Sequence, residues 1–290
     1  MNERIWNLGS TSEAMDRYTK AQIGGITTHV ALAGNRRSDR NKKQNDRLAV
    51  LDLPGCDMEM CRKIMTSVQR NALSRFFSLT CMGAYEPKTQ VLEVYGKGDC
   101  SATLVLTEGE KIKAIHLTPS KDFKDGHSCI VKNLSETLDT LAKEHGFKRE
   151  KTKIGLLLNS DGIMETTISC GYKAVDPEHF PQSWPELIER LFHDAYAKPA
   201  ENGSNIAKAL ADVAIKRGTG DNISVIWMPD LLAATPEGPP VIACVCDTPG
   251  EGSGAENLIT HFENACKNAV WEKRPDLRYA YRPSELMVMR

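Results

Sequence analysis

The sequence predicts an α+β fold whose strands form antiparallel sheets. Three observations lead there. Apolar runs of strand length, rich in β-branched residues, are each cut off by Gly, Pro or Asp. Helical periodicities fall in groups between runs of strands, which is not the pattern of a βαβ series. Finally, 41% hydrophobic and 26% charged residues over 290 positions supply enough apolar mass for a full core, in one large domain or two small ones.

In chain order, residues 1–25 are polar and mixed, with helical spacing at Ala14, Tyr18 and Ala21 before Gly24-Gly25 breaks it. They read as an N-terminal extension. Residues 26–33 alternate and read as a strand. Residues 34–47 carry Arg36, Arg37, Arg40, Lys42, Lys43 and Arg47, the pattern of a solvated loop. The apolar run 48–53 stops at Pro54-Gly55, and Met60, Ile64, Val68 and Leu73 then recur at helical spacing over 57–77. Strand signals follow at 90–95, 102–107 and 111–117, the last two joined by a turn at Glu108-Gly109. Residues 133–145 read as a helix and 154–158 as a buried strand. Two helices at about 184–197 and 204–216 precede a strand at 222–228. Composition shifts at 233–254, with Pro236, Pro239, Pro240 and Pro249 among several glycines; it holds one strand signal at 241–246, and an amphipathic helix follows at 255–273. On this pattern 26–232 is the main domain and 233–290 a C-terminal appendage.

Composition also excludes function classes. Thirty-seven Lys and Arg against 38 Asp and Glu leave a net charge of −1, so no basic field exists to hold a nucleic-acid backbone. The apolar stretches fall far short of the roughly 20 residues that span a bilayer, and Met1-Asn-Glu-Arg-Ile-Trp has no secretory pattern. Nine cysteines without a Cys-x-x-Cys argue against structural zinc and for a reduced, cytoplasmic protein. Cys244 and Cys246 share one face of a strand and read as small buried hydrophobes.

Chemistry is concentrated in aspartates at strand ends: Asp52 after 48–51, Asp161 after 154–158, Asp221 before 223–227, and Asp99 between two strand signals. Each alone reads more readily as a turn residue than as a ligand. Several strands can, however, bring their ends to one sheet edge, and a carboxylate cluster there cannot all ionise without cations. Oxygen-only donors suit Mg²⁺ or Mn²⁺.

These segments carry a resemblance. Leu156-Leu-Leu-Asn-Ser-Asp-Gly-Ile-Met-Glu resembles the "SDG" strand-turn of the metal-dependent protein phosphatases, the type 2C serine/threonine family. Arg217-Gly-Thr-Gly-Asp-Asn-Ile-Ser-Val-Ile resembles that family's closing "RGSxDNITV" segment. Gly98-Asp-Cys-Ser-Ala followed by Glu108-Gly-Glu-Lys is similar to "GDSRA…dGk", and Leu51-Asp-Leu-Pro-Gly-Cys to a degraded "DGHGG" followed by a helix. The resemblance implies a four-layer αββα sandwich of two antiparallel sheets flanked by helices, with two Mn²⁺ or Mg²⁺ ions at one end. Asp52 would bridge the metals, with the backbone carbonyl of Leu53 as a further ligand; Asp161 and Asp221 would complete one metal's shell, Asp99 would serve a looser third position, and Arg37 would bind the substrate phosphate. It further implies hydrolysis of phosphoserine or phosphothreonine on a phosphoprotein by a metal-activated water.

The chain departs from the pattern at two places. Leu53 and Pro54 replace the family's glycine and histidine, the histidine being the implied proton donor. The acidic pair of the first loop is also altered: Asn41-Lys42-Lys43, Asn45-Asp46-Arg47 and Asp39 are each readable as its counterpart. Asp46 and Asp52 lie six residues apart, about 20 Å in extended chain, too far to share a metal without a turn. These departures leave a second reading, a pseudophosphatase with a degraded metal site that holds a protein partner through the sheet edge or the 233–290 appendage.

Overall fold

The computed structural model describes residues 17–33, 46–76, 79–98, 100–118, 126–163, 183–197, 205–219, 221–247, 254–278 and 287–289. Arg37, Asp39, Lys42, Lys43 and Asp99 lie outside them.

Two six-stranded antiparallel sheets face each other. The first contains β1 (Arg17–Ile23), β2 (Ile26–Ala33), β6 (Ser101–Glu108), β7 (Lys111–His116), β9 (Lys153–Asn159) and β10 (Ile223–Met228), in the order β1-β2-β10-β9-β6-β7. The second contains β3 (Arg47–Asp52), β4 (Leu79–Glu86), β5 (Val91–Lys97), β8 (Gly126–Val131), β11 (Val241–Asp247) and β12 (Met287–Met289), in the order β12-β3-β11-β4-β5-β8. Helices α1 (Met58–Asn71) and α5 (Gly254–Lys273) cover the outer face of the second sheet; α3 (Ser183–Tyr196) and α4 (Ile206–Arg217) cover that of the first. The expected four-layer α+β sandwich is the observed one. No described helix is long and apolar enough to cross a membrane.

Strand alternation sorts side chains between layers. Leu48 and Val50 of β3, Val241, Ala243 and Val245 of β11, Leu156 and Leu158 of β9, and Ile226 and Met228 of β10 fill the space between the sheets. Ala49, Leu51, Ile242, Cys244 and Cys246 face α1 and α5, packing against Ile64, Val68, Leu258, Ile259 and Phe262. Leu157, Val225 and Trp227 face α3 and α4. The helix α2 (Leu134–Glu144) sends Leu134, Leu138 and Ala142 into the inter-sheet core. Cys244 and Cys246 are fully buried, thiol beside thiol at 3.3 Å, and unbridged.

Local chemistry sets the element ends. Asp57 caps α1 by accepting from Met60 N–H, and Asn205 caps α4 by accepting from Lys208 N–H. Gly218 ends α4 in the left-handed conformation, φ 89°. His29 accepts from the Ile206 N–H at the start of α4; burial, then the neighbouring Lys20 charge, lowers its pKa to about 4, keeping the ring neutral and able to accept.

Two boundary expectations are corrected. Residues 17–23 are strand, not helix: Gly24 and Gly25 at φ 55° and 82° close a two-residue hairpin that pairs Ile23 with Ile26, and the ladder overrides the helical spacing. Residues 233–290 are no appendage in their described part. β11 is hydrogen-bonded on both sides, Ala243 opposite Val50 of β3 and Gly83 of β4, and β12 pairs with β3.

Candidate functional site

Four strands of the sandwich, β3 and β11 of one sheet and β9 and β10 of the other, bring polar residues to the inter-sheet space at one end. Asp46, just before β3, Asp247, the last residue of β11, Ser160, just after β9, and Ser224 of β10 all follow the inward parity of their strands. The two serines are fully buried, and Asp46 and Asp247 expose 1% and 8% of their surface. Ser160 Oγ donates to Asp46 Oδ2 at 2.6 Å, and Ser224 Oγ donates to the same oxygen at 2.9 Å. Ser160 Oγ in turn accepts from Ser224 N–H at 3.0 Å. Residues from β3, β9 and β10 are thereby tied across the two sheets.

The electrostatics of Asp46 are those of a carboxyl that cannot ionise alone. Burial, and next the charge of the adjacent Asp247, hold its pKa well above the usual carboxylate range; the two serine hydroxyls pull the other way. Two carboxyls in contact inside a protein need a shared proton or a cation between them.

Asp161 and Asp221 stand at this same end. Ser160 N–H donates to Ser224 C=O at 3.1 Å, so the turn after β9 lies on the entry to β10. A Cβ on Gly162 would fall 1.9 Å from the Asn222 carbonyl oxygen, which is why glycine must follow Asp161. The Asp221 carboxylate accepts from Asn222 N–H at 2.7 Å, while Thr219 Oγ1 accepts from Asp221 N–H at 3.3 Å. Upstream, the buried Arg217 donates to Asp194 of α3 at 2.8 Å and anchors the loop. Gly162→Ala is expected to separate the two turns and cost several kcal/mol, because the obstacle is backbone that cannot rotate away; a fall in melting temperature of 10 °C or more would show it, and an unchanged melt would contradict the close packing.

The structure does not bring Asp52 to this end. Asp52 pairs with Val241, the first residue of β11, whereas Asp247 is the last, beside the Cys246–Arg47 pair. Asp52 and Leu53 therefore sit at the opposite end of β3 from Asp46, about 20 Å away along the strand. Leu53 is wholly buried and its N–H donates to Pro240 C=O. The distance argument on Asp46 and Asp52 holds, and Asp46, not Asp52, is the acid beside Ser160. Asp247 and Ser224 were not among the expected residues. For Asp247 a signal exists: Val241–Asp247 followed by Thr-Pro-Gly-Glu-Gly-Ser-Gly and a helix has the same strand, aspartate, turn grammar as the other sites.

Among the described residues, no three His, Cys, Asp or Glu side chains are grouped closely enough to hold a metal ion as they stand. No family model matches the sequence, and no curated protein does. Among solved structures, a sex determining protein of C. elegans is similar at 12% identity and TM-score 0.32, over 79% of this chain and 64% of that one. The phosphatase domain of the cell fate determinant SpoIIE from Bacillus subtilis is similar at 14% identity and TM-score 0.35, over 79% of this chain and 96% of that one. A serine/threonine phosphatase of S. agalactiae is similar at 10% identity and TM-score 0.35, over 76% of this chain and 94% of that one.

Proposed function

We propose that the chain is a divergent metal-dependent phosphatase of the type 2C kind, hydrolysing phosphoserine or phosphothreonine on proteins. The observation that carries this is the buried Asp46–Asp247 carboxyl pair, at the end of the sandwich where Asp161 and Asp221 also stand. The donors are all hard oxygens, and the pair is held in contact despite the mutual repulsion of its ionised forms, so the donor chemistry suits Mg²⁺ or Mn²⁺ once the side chains close from their present positions. In this reading Asp46, Asp247, Asp161 and Asp221 hold the ions. Divalent ions at such a place activate water near neutral pH and neutralise charge developing on a phosphoryl group. The chain's own part is orientation: Ser160 and Ser224 fix one oxygen of Asp46 from two directions, and the Arg217–Asp194 pair and the Gly162 contact fix the turns that bear Asp221 and Asp161.

This reading moves the role first assigned to Asp52 onto Asp247. The family's early "DGHGG" strand, turn and helix would then correspond to 241–273, carried at the far end of the chain but inserted between β3 and β4 in space. Arg37 and Asp99 keep their proposed roles in phosphate and third-metal binding; Gly98 and Cys100 flank Asp99 at the same end of the sheets.

One observation favours the binding-module reading. In the sequence Thr248 and Pro249 follow Asp247 where the family's glycine and histidine would be, so a proline again takes the place of the proton donor. General acid help is worth about 10²–10⁴ in rate, so turnover is expected to be slow rather than absent. The test is hydrolysis of a phosphothreonine peptide with and without millimolar Mn²⁺, beside Asp161→Asn. Metal-dependent turnover lost in the variant supports the enzyme; no turnover together with no metal uptake by calorimetry leaves the binding module.

A further inference from the structure

A second polar feature lies at the same end of the second sheet but on its outer face. A cavity of about 500 Å³ is lined by Thr66, Gln69 and Arg70 of α1, Ser74 just beyond it, and Lys97, the last residue of β5. The volume is that of a small-ligand site. Thr66, Gln69 and Arg70 are spaced i, i+3, i+4 and share one helix face. Beyond Asn71 the helix widens into a π-type turn over Ala72–Phe76, a distortion frequent at functional sites. There Ser74 Oγ donates to Arg70 C=O. Lys97 reaches the cavity because β5 alternates: Leu92 and Val94 point between the sheets and Tyr95 toward α1, which puts Lys97 on the α1 side as well.

The charge balance of this cavity is one-sided. Among the described residues no carboxylate lines it. Arg62, Lys63, Arg149, Lys208 and Arg274 each pair with an acid, whereas neither Arg70 nor Lys97 has an ion pair among the described residues. Two full positive charges outweigh the roughly half negative charge at the end of a helix. Around them Thr66 and Gln69 supply neutral donors, while the Ser74 hydroxyl is engaged by the Arg70 carbonyl. A planar guanidinium fork with an ammonium, a hydroxyl and an amide is a donor set for a phosphate dianion.

We propose that this cavity binds a phosphorylated serine or threonine side chain, as a second phosphate subsite for a multiply phosphorylated protein ligand. Lys97 pairs with Thr80, which pairs with Cys246 next to Asp247. Two strand spacings, about 10 Å, therefore separate the strand bearing Lys97 from the one bearing Asp247. A peptide crossing the sheet edge covers that in three to five residues. The use of the subsite in catalysis rests on the phosphatase reading; the binding does not.

The test keeps the two apart by measuring binding with EDTA present, on the full chain, by fluorescence anisotropy of labelled peptides. One peptide carries a single phosphothreonine, one carries two phosphates four residues apart, and one carries none; inorganic phosphate is the competitor. The wild type is expected to bind phosphorylated peptide, to lose it on adding phosphate, and to ignore the bare peptide. The double substitution R70Q/K97Q, at polar positions on the cavity rim, is expected to weaken binding at least tenfold with an unchanged melting temperature. Equal affinity in wild type and R70Q/K97Q, equal binding of the bare peptide, or no phosphopeptide binding at all each overturns the proposal. Phosphopeptide binding in a protein without turnover would sink the phosphatase reading and leave the subsite standing.

Discussion

A chain shortened to residues 1–240 gives no cooperative unfolding transition. β11 contributes a central strand, and its loss would leave the facing edges of β3 and β4 unpaired. Val241, Ile242 and Val245, with Leu258, Ile259, Phe262 and Val270 of α5, are all essentially buried. At about 2 kcal/mol for each large apolar side chain, their removal equals the whole 5–15 kcal/mol by which a domain is stable. Near-ultraviolet circular dichroism during heating is the check. A cooperative melt of the short chain near the full-length temperature would mean that 241–290 is dispensable, as its Pro- and Gly-rich lead-in suggests from composition.

Asp46→Asn and Asp247→Asn are each expected to raise the melting temperature in EDTA by a few degrees while abolishing the stabilisation that millimolar Mn²⁺ gives the wild type. The first effect arises because a neutral amide removes the repulsion and desolvation that push up the pKa of Asp46, the stability a binding site forgoes. The second arises because an ion at about one hundred times its Kd adds about 2.7 kcal/mol to the native state, and an amide is a far poorer ligand than a carboxylate. Asp52→Asn, at the other end of β3, is expected to leave the Mn²⁺ response unchanged. Differential scanning fluorimetry on the four proteins decides it. A full Mn²⁺ response in Asp46→Asn would remove that residue from the site, and loss of the response in Asp52→Asn would restore the original assignment.

Most elements were legible because their signals are local. The run 154–158 ending in Asn-Ser-Asp-Gly, the segment 217–228 and the helix 255–273 carry their periodicity and stop signals within a few residues. β4 and β8 went unread for a related reason: Leu79–Glu86 is buried on both faces and has no alternation, and Gly126–Val131 is a short edge strand. Asp161 and Asp221 were readable for the same local reason, each beside a turn of its own.

By itself the sequence determined the α+β class, the two turns that bear Asp161 and Asp221, and the oxygen-only character of the candidate donors. Only the tertiary structure decided which other acids join that end. Asp46 and Asp247 are 201 positions apart, and they meet because β11 enters between β3 and β4 in a register that sets Cys246 against Arg47. Ladder hydrogen bonds are made by backbone groups common to every residue, so no local pattern announces which strand a segment will pair with. Asp52 ends an apolar run just as Asp247 does, and the choice of register puts one of them against Asp46 and the other at the far end of the sheet.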